Sequence, residues 1–178
     1  MLTLEPLGLR SGEVVVIPYD TRWPGLFETA ALELQEALGP SGLAVHHVGS
    51  TSIPGLCSKP ILDILVSIAD LNAGLKLVPV LESLGYEFRP DEEIPDRHYF
   101  RRRIGTVRTH HLSLAEPGSL HHRATLAFRD ALRRDARLAT TYAELKLILA
   151  RAFPLDRPAY LDGKSEFIQD VLAQQGVA

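Results

Sequence analysis

Residues 45–68, VHHVGSTSIPGLCSKPILDILVSI, constrain the fold more than any other part of the chain. They read as a short apolar strand, a hydroxyl-rich glycine turn opening into a cramped helical turn, a lysine, and a second apolar strand carrying one acid. Gly49 lets the backbone approach a ligand closely, and Ser50, Thr51 and Ser52 offer hydroxyl donors. The first amides of a helical turn have no partner within it, so the expected guest is phosphate. Lys59 follows closely enough to add charge.

Side chains alternate across a sheet. In the second strand Leu62, Ile64, Val66 and Ile68 therefore share one face, and Ile61, Asp63, Leu65 and Ser67 share the other. Both faces are largely apolar, the pattern of a central strand covered on both sides. A carboxylate in that setting is paired or bound to a cation, because burying it alone is too costly. For Asp63 the candidates are an ion pair with Lys59 or an arginine, and a metal ion; parity alone leaves both open.

The rest of the chain supplies cover for that strand. Residues 14–17, closed by Pro18, read as an edge strand. Asp20 or Thr21 caps a helix with Pro24 in its first turn and a stripe of Leu26, Phe27, Ala30, Leu34 and Leu38, stopped at Gly39-Pro40. Asp70 opens a second helix running to about Leu84, kinked or shortened by Pro79 and stopped by Gly85. Residues 86–88 are extended, RPDEEIPDR is a surface loop, and residues 98–104 and 107–115 form a hairpin about Gly105-Thr106. From Ser119 the pattern is helical: one stripe holds Phe128, Ala131 and Leu132, a second Leu138, Tyr142, Leu145, Leu149 and Phe153. A third helix runs from Ala159 to Leu172, with Gly163 weakening its first turns.

In the hairpin Tyr99, Arg101 and Arg103 share a face, as do Thr109, His111 and Ser113. With Leu112 and Leu114 against helices, His111 opens onto the side of Asp63. Three arginines in a row usually mark a solvated strand. Beside a Gly-Ser turn, Arg101 or Arg103 also suits the far phosphates of a nucleotide, because a guanidinium fork matches phosphate geometry. The pairs His46-His47, His110-His111 and His121-His122 cannot each clamp one ion, since neighbours on a strand point to opposite faces and neighbours on a helix sit well apart. With no HExxH and no cysteine pair, a structural zinc site is not expected. His47 and His111, one from each strand, can still converge on the Asp63 cleft.

A chain of 178 residues suits a single domain over residues 1–178. Its formal charge of -3 gives no global field for a polyanion such as DNA, so nucleic acid is not an expected partner. The single cysteine, Cys57, excludes an internal disulfide and, read as a small buried hydrophobe, fits a reducing compartment. No signal-like start is visible, and no apolar run reaches the ~20 residues a spanning helix needs. A cytoplasmic protein without membrane contact is expected; its oligomeric state is not legible.

At the glycine turn the chain resembles the nucleotidyltransferase superfamily, which carries Gly-Ser at the end of one strand and an acid, an apolar residue and a second acid on the next. Here Gly49-Ser50 is followed by Asp63-Ile64-Leu65. More closely, HVGSTSIPGL..KPILDI resembles the GrpB family, a branch of that superfamily sometimes fused to dephospho-coenzyme A kinase. The likeness takes in Tyr19-Asp20 with Trp23 and Phe27, His111-Leu112, Glu116-Pro117-Gly118-Ser119, Phe128-Arg129-Asp130, Tyr142 with Leu145-Lys146, and Lys164 with Phe167-Ile168.

The resemblance implies an α/β (α+β) fold, a nucleotidyltransferase-like mixed β-sheet flanked by helices with a helical C-terminal extension. It implies Mg²⁺ at Asp63, catalytic positions at Asp63 and His111, and a phosphate cradle at Gly49, Ser50, Thr51 and Ser52. Lys59, Arg101, Arg103 and Lys164 would neutralise the nucleotide, with His47 and Ser113 beside the cleft. The chain departs from the pattern twice: Leu65 stands where the superfamily's second metal ligand would be, and Ser113 where the family usually has a histidine. Three expectations follow: a metal-dependent nucleotidyltransferase, a binding module for a nucleotide or coenzyme A precursor, and an interaction domain with a vestigial cleft.

Overall fold

The computed structural model describes residues 7–92 and 94–177. The first six residues of the expected lead-in, Pro6 among them, and Glu93 of the acidic loop lie outside the described residues.

Strand β3 (Leu62–Ser67) is central, as its two apolar faces predict. It pairs antiparallel with β2 (Ala44–Val48) and parallel with β6 (Val107–Ala115). The sheet continues through β5 (His98–Ile104) to β4 (Tyr86–Phe88), giving the order β2-β3-β6-β5-β4, and β1 (Leu9–Arg10) also pairs with β6. The parallel register sets Asp63 opposite His111 and Leu65 opposite Ser113, and it sets Ile64 and Val66 opposite Leu112 and Leu114.

The apolar set of that register faces one layer of helices. Ile64, Val66, Phe100, Leu112 and Leu114 are buried against Leu34 and Leu38 of α1 (Trp23–Leu38) and Leu81 of α3 (Val78–Ser83). The opposite face carries Val48, Asp63, Leu65, His111 and Ser113. Over it stand α4 (Leu120–Arg134), α5 (Ala136–Ala152), α6 (Arg157–Asp162) and α7 (Ser165–Gln174), the C-terminal extension. Ile53 and Leu56, just after the glycine turn, are buried with Leu132 and Tyr142, so the helices hold the turn in place. None of the described helices is long and apolar enough to cross a membrane.

Several local expectations are corrected. Residues 14–17 form no edge strand. Ile17 makes one isolated bridge to Ser58, while Val14 donates its amide to the Pro154 carbonyl and packs on Leu149 and Tyr160, so this segment is used to tie the helices to the turn. Leu9–Arg10 pairs with Val107 and Arg108 instead. The expected second helix is broken into α2 (Leu71–Gly74), a 3-10 turn and α3, with Pro79 in the first turn of α3, where a missing amide costs nothing. The third C-terminal helix divides at Gly163. There an added Cβ would lie 3.1 Å from Leu149 Cδ1, so the glycine marks close packing on α5. Cys57 is half-buried rather than buried.

Candidate functional site

The site begins at a glycine whose replacement by any side chain would be strained. Gly49 has φ +66°, and a Cβ there would stand 2.8 Å from Asp63 Cβ and 2.9 Å from its carboxyl carbon. The end of β2 can lie beside the acid of β3 only because this position lacks a side chain. After it, Ser50–Ser52 makes the expected 3-10 turn.

A 3-10 turn splays successive side chains about 120° apart, so three hydroxyls in a row do not converge. Ser50 lines the cavity above Asp63. Thr51 is fully buried and its hydroxyl is bonded to His47 Nε2 at 3.0 Å. Ser52 donates to the Gly49 carbonyl at 2.6 Å. The amides of Ser52 and Ile53 likewise close onto the carbonyls of Gly49 and Ser50. His47 is not brought to the cleft: it is paired with Ile64, on the α1 side, and stacks on Phe27 with ring centroids 4.5 Å apart. It braces the turn from behind.

Asp63 and His111 do meet. His111 Nδ1 donates to Asp63 Oδ1 at 3.0 Å, and the Asp63 side chain is 40% exposed to the cleft. Burial pushes the Asp63 carboxyl up, but the His111 hydrogen bond and the charges of His111, Lys59 and Lys164 outweigh it, leaving it below the ordinary carboxylate value. For His111 burial prevails over Asp63, so the imidazole sits below its usual value. His111 Nε2 is buried without a hydrogen-bond partner.

Above this pair lies a cavity of about 340 Å³ whose wall of α5, α6 and α7 is cationic and aromatic. Lys146 is only 2% exposed; its Nζ donates to Ser50 Oγ at 3.0 Å and to the Cys57 carbonyl, and lies 4.7 Å from the Tyr142 ring centroid. Lys59 and Lys164 flank the Tyr160 ring at 5.3 Å and 4.6 Å. Burial, reinforced by the charge of Lys164, pushes Lys146 down to about 7 and Lys59 to about 8. Burial also pushes Lys164 to about 8, with the Arg157 charge adding to it against the pull of Asp63. Tyr142 stacks on Phe167, and burial raises both Tyr142 and Tyr160 above the ordinary phenol value.

Asp63 and His111 also border a second cavity, of about 270 Å³, lined by Glu92, Arg97, Tyr99, Ser113, His121 and Arg157. Arg101 stays outside both: its guanidinium is bound to Glu92 and lies 5.6 Å from the Tyr99 ring centroid. Arg103 is exposed at the end of the hairpin, past a register shift in which Arg102 pairs with His110 and Arg103 with Arg108.

Of the expected site residues, the fold brings together Gly49, Ser50, Lys59, Asp63, His111, Ser113 and Lys164. It adds Lys146, Arg97 and Arg157. Lys146 had a usable signal, since it lies four residues after Tyr142 and three before Leu149 on the buried stripe of its helix. Arg97 stands in a loop and Arg157 between two prolines, where no periodicity reports direction.

The family described as GrpB protein matches residues 13–174. The chain belongs to the GrpB family. A UPF0157 protein of Pseudomonas aeruginosa is 38% identical over 164 residues, which span 90% of this chain and 67% of that relative. The crystal structure of conserved protein GrpB from Enterococcus faecalis superposes with a TM-score of 0.83 at 34% identity, covering 90% of this chain and 96% of that one. Cid1 poly(U) polymerase, in a structure with MgGTP bound, matches with a TM-score of 0.51 at 17% identity over 76% of this chain and 44% of its own. That likeness shows the nucleotidyltransferase fold.

Proposed function

We propose that this GrpB-family chain binds the phosphate chain of a nucleotide in the lysine-lined cavity over the Gly49-Ser50 turn. The observation that carries the reading is the charge balance. Lys59, Lys146, Arg157 and Lys164 line the cavity against one carboxylate, Asp63, and that acid is already bonded to His111. Ammonium groups held in so little water, with pKa values drawn down to about 7 or 8, are stabilised by a bound polyanion. Ser50 adds a hydroxyl donor, and Phe128 with Tyr142 gives the remainder of the ligand an apolar wall that excludes water.

The donor set fits one Mg²⁺ ion and not two. Asp63 Oδ1 is held by His111, while Oδ2 has no hydrogen-bond partner among the described residues. One carboxylate with ligand phosphates is a usual Mg²⁺ environment. The second acid is missing: Leu65 is fully buried on the same face, and no three His, Cys, Asp or Glu among the described residues form a metal cluster. When bound, the ion neutralises phosphate charge. His111 fixes the carboxylate, and the lysines hold the phosphates.

A second reading, metal-dependent nucleotidyl transfer, draws support from Asp63 bordering both cavities, so that a donor and an acceptor would meet at its free oxygen. With one acid, transfer is expected to be slow, since a preorganised charge interaction contributes about 3–4 kcal/mol at the transition state. Leu65→Asp should raise Mg²⁺-dependent turnover of a nucleoside triphosphate, and an unchanged rate would speak against this second reading. Binding is tested by calorimetric titration with tripolyphosphate at pH 7. Lys59→Ala and Lys164→Ala should each weaken it roughly tenfold, about 1.4 kcal/mol; undiminished affinity in both would refute the site.

A further inference from the structure

The cavity beyond Asp63 holds two guanidiniums whose neighbouring carboxylates are paired elsewhere. Arg97 enters it from the loop before β5. Its Nη1 reaches Ser113 Oγ at 3.4 Å and its Nη2 the Glu92 carbonyl at 3.3 Å, both long for a charge-assisted hydrogen bond. Its guanidinium lies 4.4 Å from the Tyr99 ring centroid, and its Nε is buried without a partner. Arg157, at the start of α6, lines both cavities and also has a buried Nε without a partner. Neither arginine forms an ion pair with an acid among the described residues. The two acids that share the cavity are already engaged, Glu92 by Arg101 and Arg89, and Asp63 by His111. Two half-buried guanidiniums without a carboxylate are costly to hold in a protein that binds nothing between them.

We infer that Arg97 and Arg157, with the Ser113 hydroxyl, form a second oxyanion subsite that takes a small phosphomonoester on the far side of Asp63 from the nucleotide. The two forks come from different elements, a loop and a helix, and so approach from different directions. A tetrahedral phosphate with three terminal oxygens can meet both forks and the hydroxyl, whereas a carboxylate offers two oxygens in one plane. The cavity's volume of about 270 Å³ admits a small ligand. The inference rests on the nucleotide reading for the identity of the neighbouring ligand, but of its three binding residues Arg97 and Ser113 belong to this lobe alone, while Arg157 is shared.

Glycerol 3-phosphate, titrated calorimetrically in the presence of saturating tripolyphosphate, tests it. Arg97→Gln and Arg157→Gln should each weaken glycerol 3-phosphate at least tenfold, and Arg97→Lys, which keeps the charge and loses the fork, should fall between. Arg97→Gln should leave tripolyphosphate binding unchanged. Thermal unfolding of each variant shows that it folds, and Arg97→Lys stands in should Arg97→Gln not. Absence of glycerol 3-phosphate binding, binding insensitive to Arg97 and Arg157, or equal binding of glycerate would overturn the subsite. Failure of the nucleotide reading has a different signature: tripolyphosphate becomes insensitive to Lys59 and Lys164 while the Arg97 effect persists.

Discussion

Replacing Lys146 by methionine separates what the cavity needs for binding from what the fold needs for stability. The side chain is 2% exposed, and burial with neighbouring Lys164 and Lys59 takes it from an ordinary 10.5 to about 7. At about 1.4 kcal/mol per pH unit, that fall corresponds to about 5 kcal/mol of disfavoured charge at neutral pH. Methionine fills a similar volume without charge, but it withdraws the donor from Ser50 Oγ and the Cys57 carbonyl, at about 1–3 kcal/mol for a buried group left unpaired. The balance is a net stabilisation of about 2–4 kcal/mol, a rise of several degrees in Tm for a chain of this size. Because the folded pKa is lowered, the unfolded chain binds more protons between pH 7 and 10.5. Wild-type stability therefore climbs through that window by at most about 1.4 kcal/mol per unit from this group, and the penalty is complete below pH 7. Denaturant unfolding at pH 7, 8.5 and 10, in buffers free of phosphate, should show Lys146→Met more stable at pH 7, with its advantage shrinking as pH rises. The same variant should bind tripolyphosphate at least tenfold more weakly. A variant that is destabilised at pH 7, or whose difference from wild type does not depend on pH, would refute the reasoning.

Gly49→Ala combines a left-handed backbone with overlap on Asp63 and should cost roughly 2–5 kcal/mol, read as a shift in denaturation midpoint; a cost under ~1 kcal/mol would contradict the close approach. Tripolyphosphate affinity should fall as pH rises from 7 to 9, since Lys146 near 7 and Lys59 and Lys164 near 8 lose their protons there, and a flat profile would mean that the ligand does not meet them. His111→Ala should raise the Asp63 pKa, followed by carboxyl NMR, because it removes both the hydrogen bond and the charge that hold it low.

Strand parity carried most of the site. Once residues 62–68 are taken as a central strand, Asp63 must leave the face of Ile64, and the same count along residues 107–115 sends His111 after it; the register Asp63↔His111 makes them neighbours. Parity failed where a register or a torsion intervened. His47 belongs to the face of Ile64 because β2 pairs so that Val48, not His47, stands beside Asp63. Arg103 shares the face of Arg101 by parity, but it stands at the exposed end of the hairpin, past the register shift, and lines neither cavity. Thr51 and Ser52 are the right residue type for phosphate, yet a 3-10 turn points them elsewhere. Lys146 was hidden by its own chemistry, a charged residue inside an apolar stripe, where spacing rather than polarity gives its direction. Residues 14–17 have the composition of an edge strand and serve as a strap because Leu149 and Tyr160 offer apolar contact away from the sheet.

The central claim is that the cationic cavity over Gly49-Ser50 holds a phosphate chain, and a crystal structure with tripolyphosphate and Mg²⁺ tests it most directly. The account predicts phosphate oxygens within hydrogen-bond distance of Ser50 Oγ and of the ammonium groups of Lys59, Lys146 and Lys164, with one Mg²⁺ against Asp63 Oδ2. A cavity that holds only water while the ligand sits elsewhere, at millimolar concentration, would contradict it.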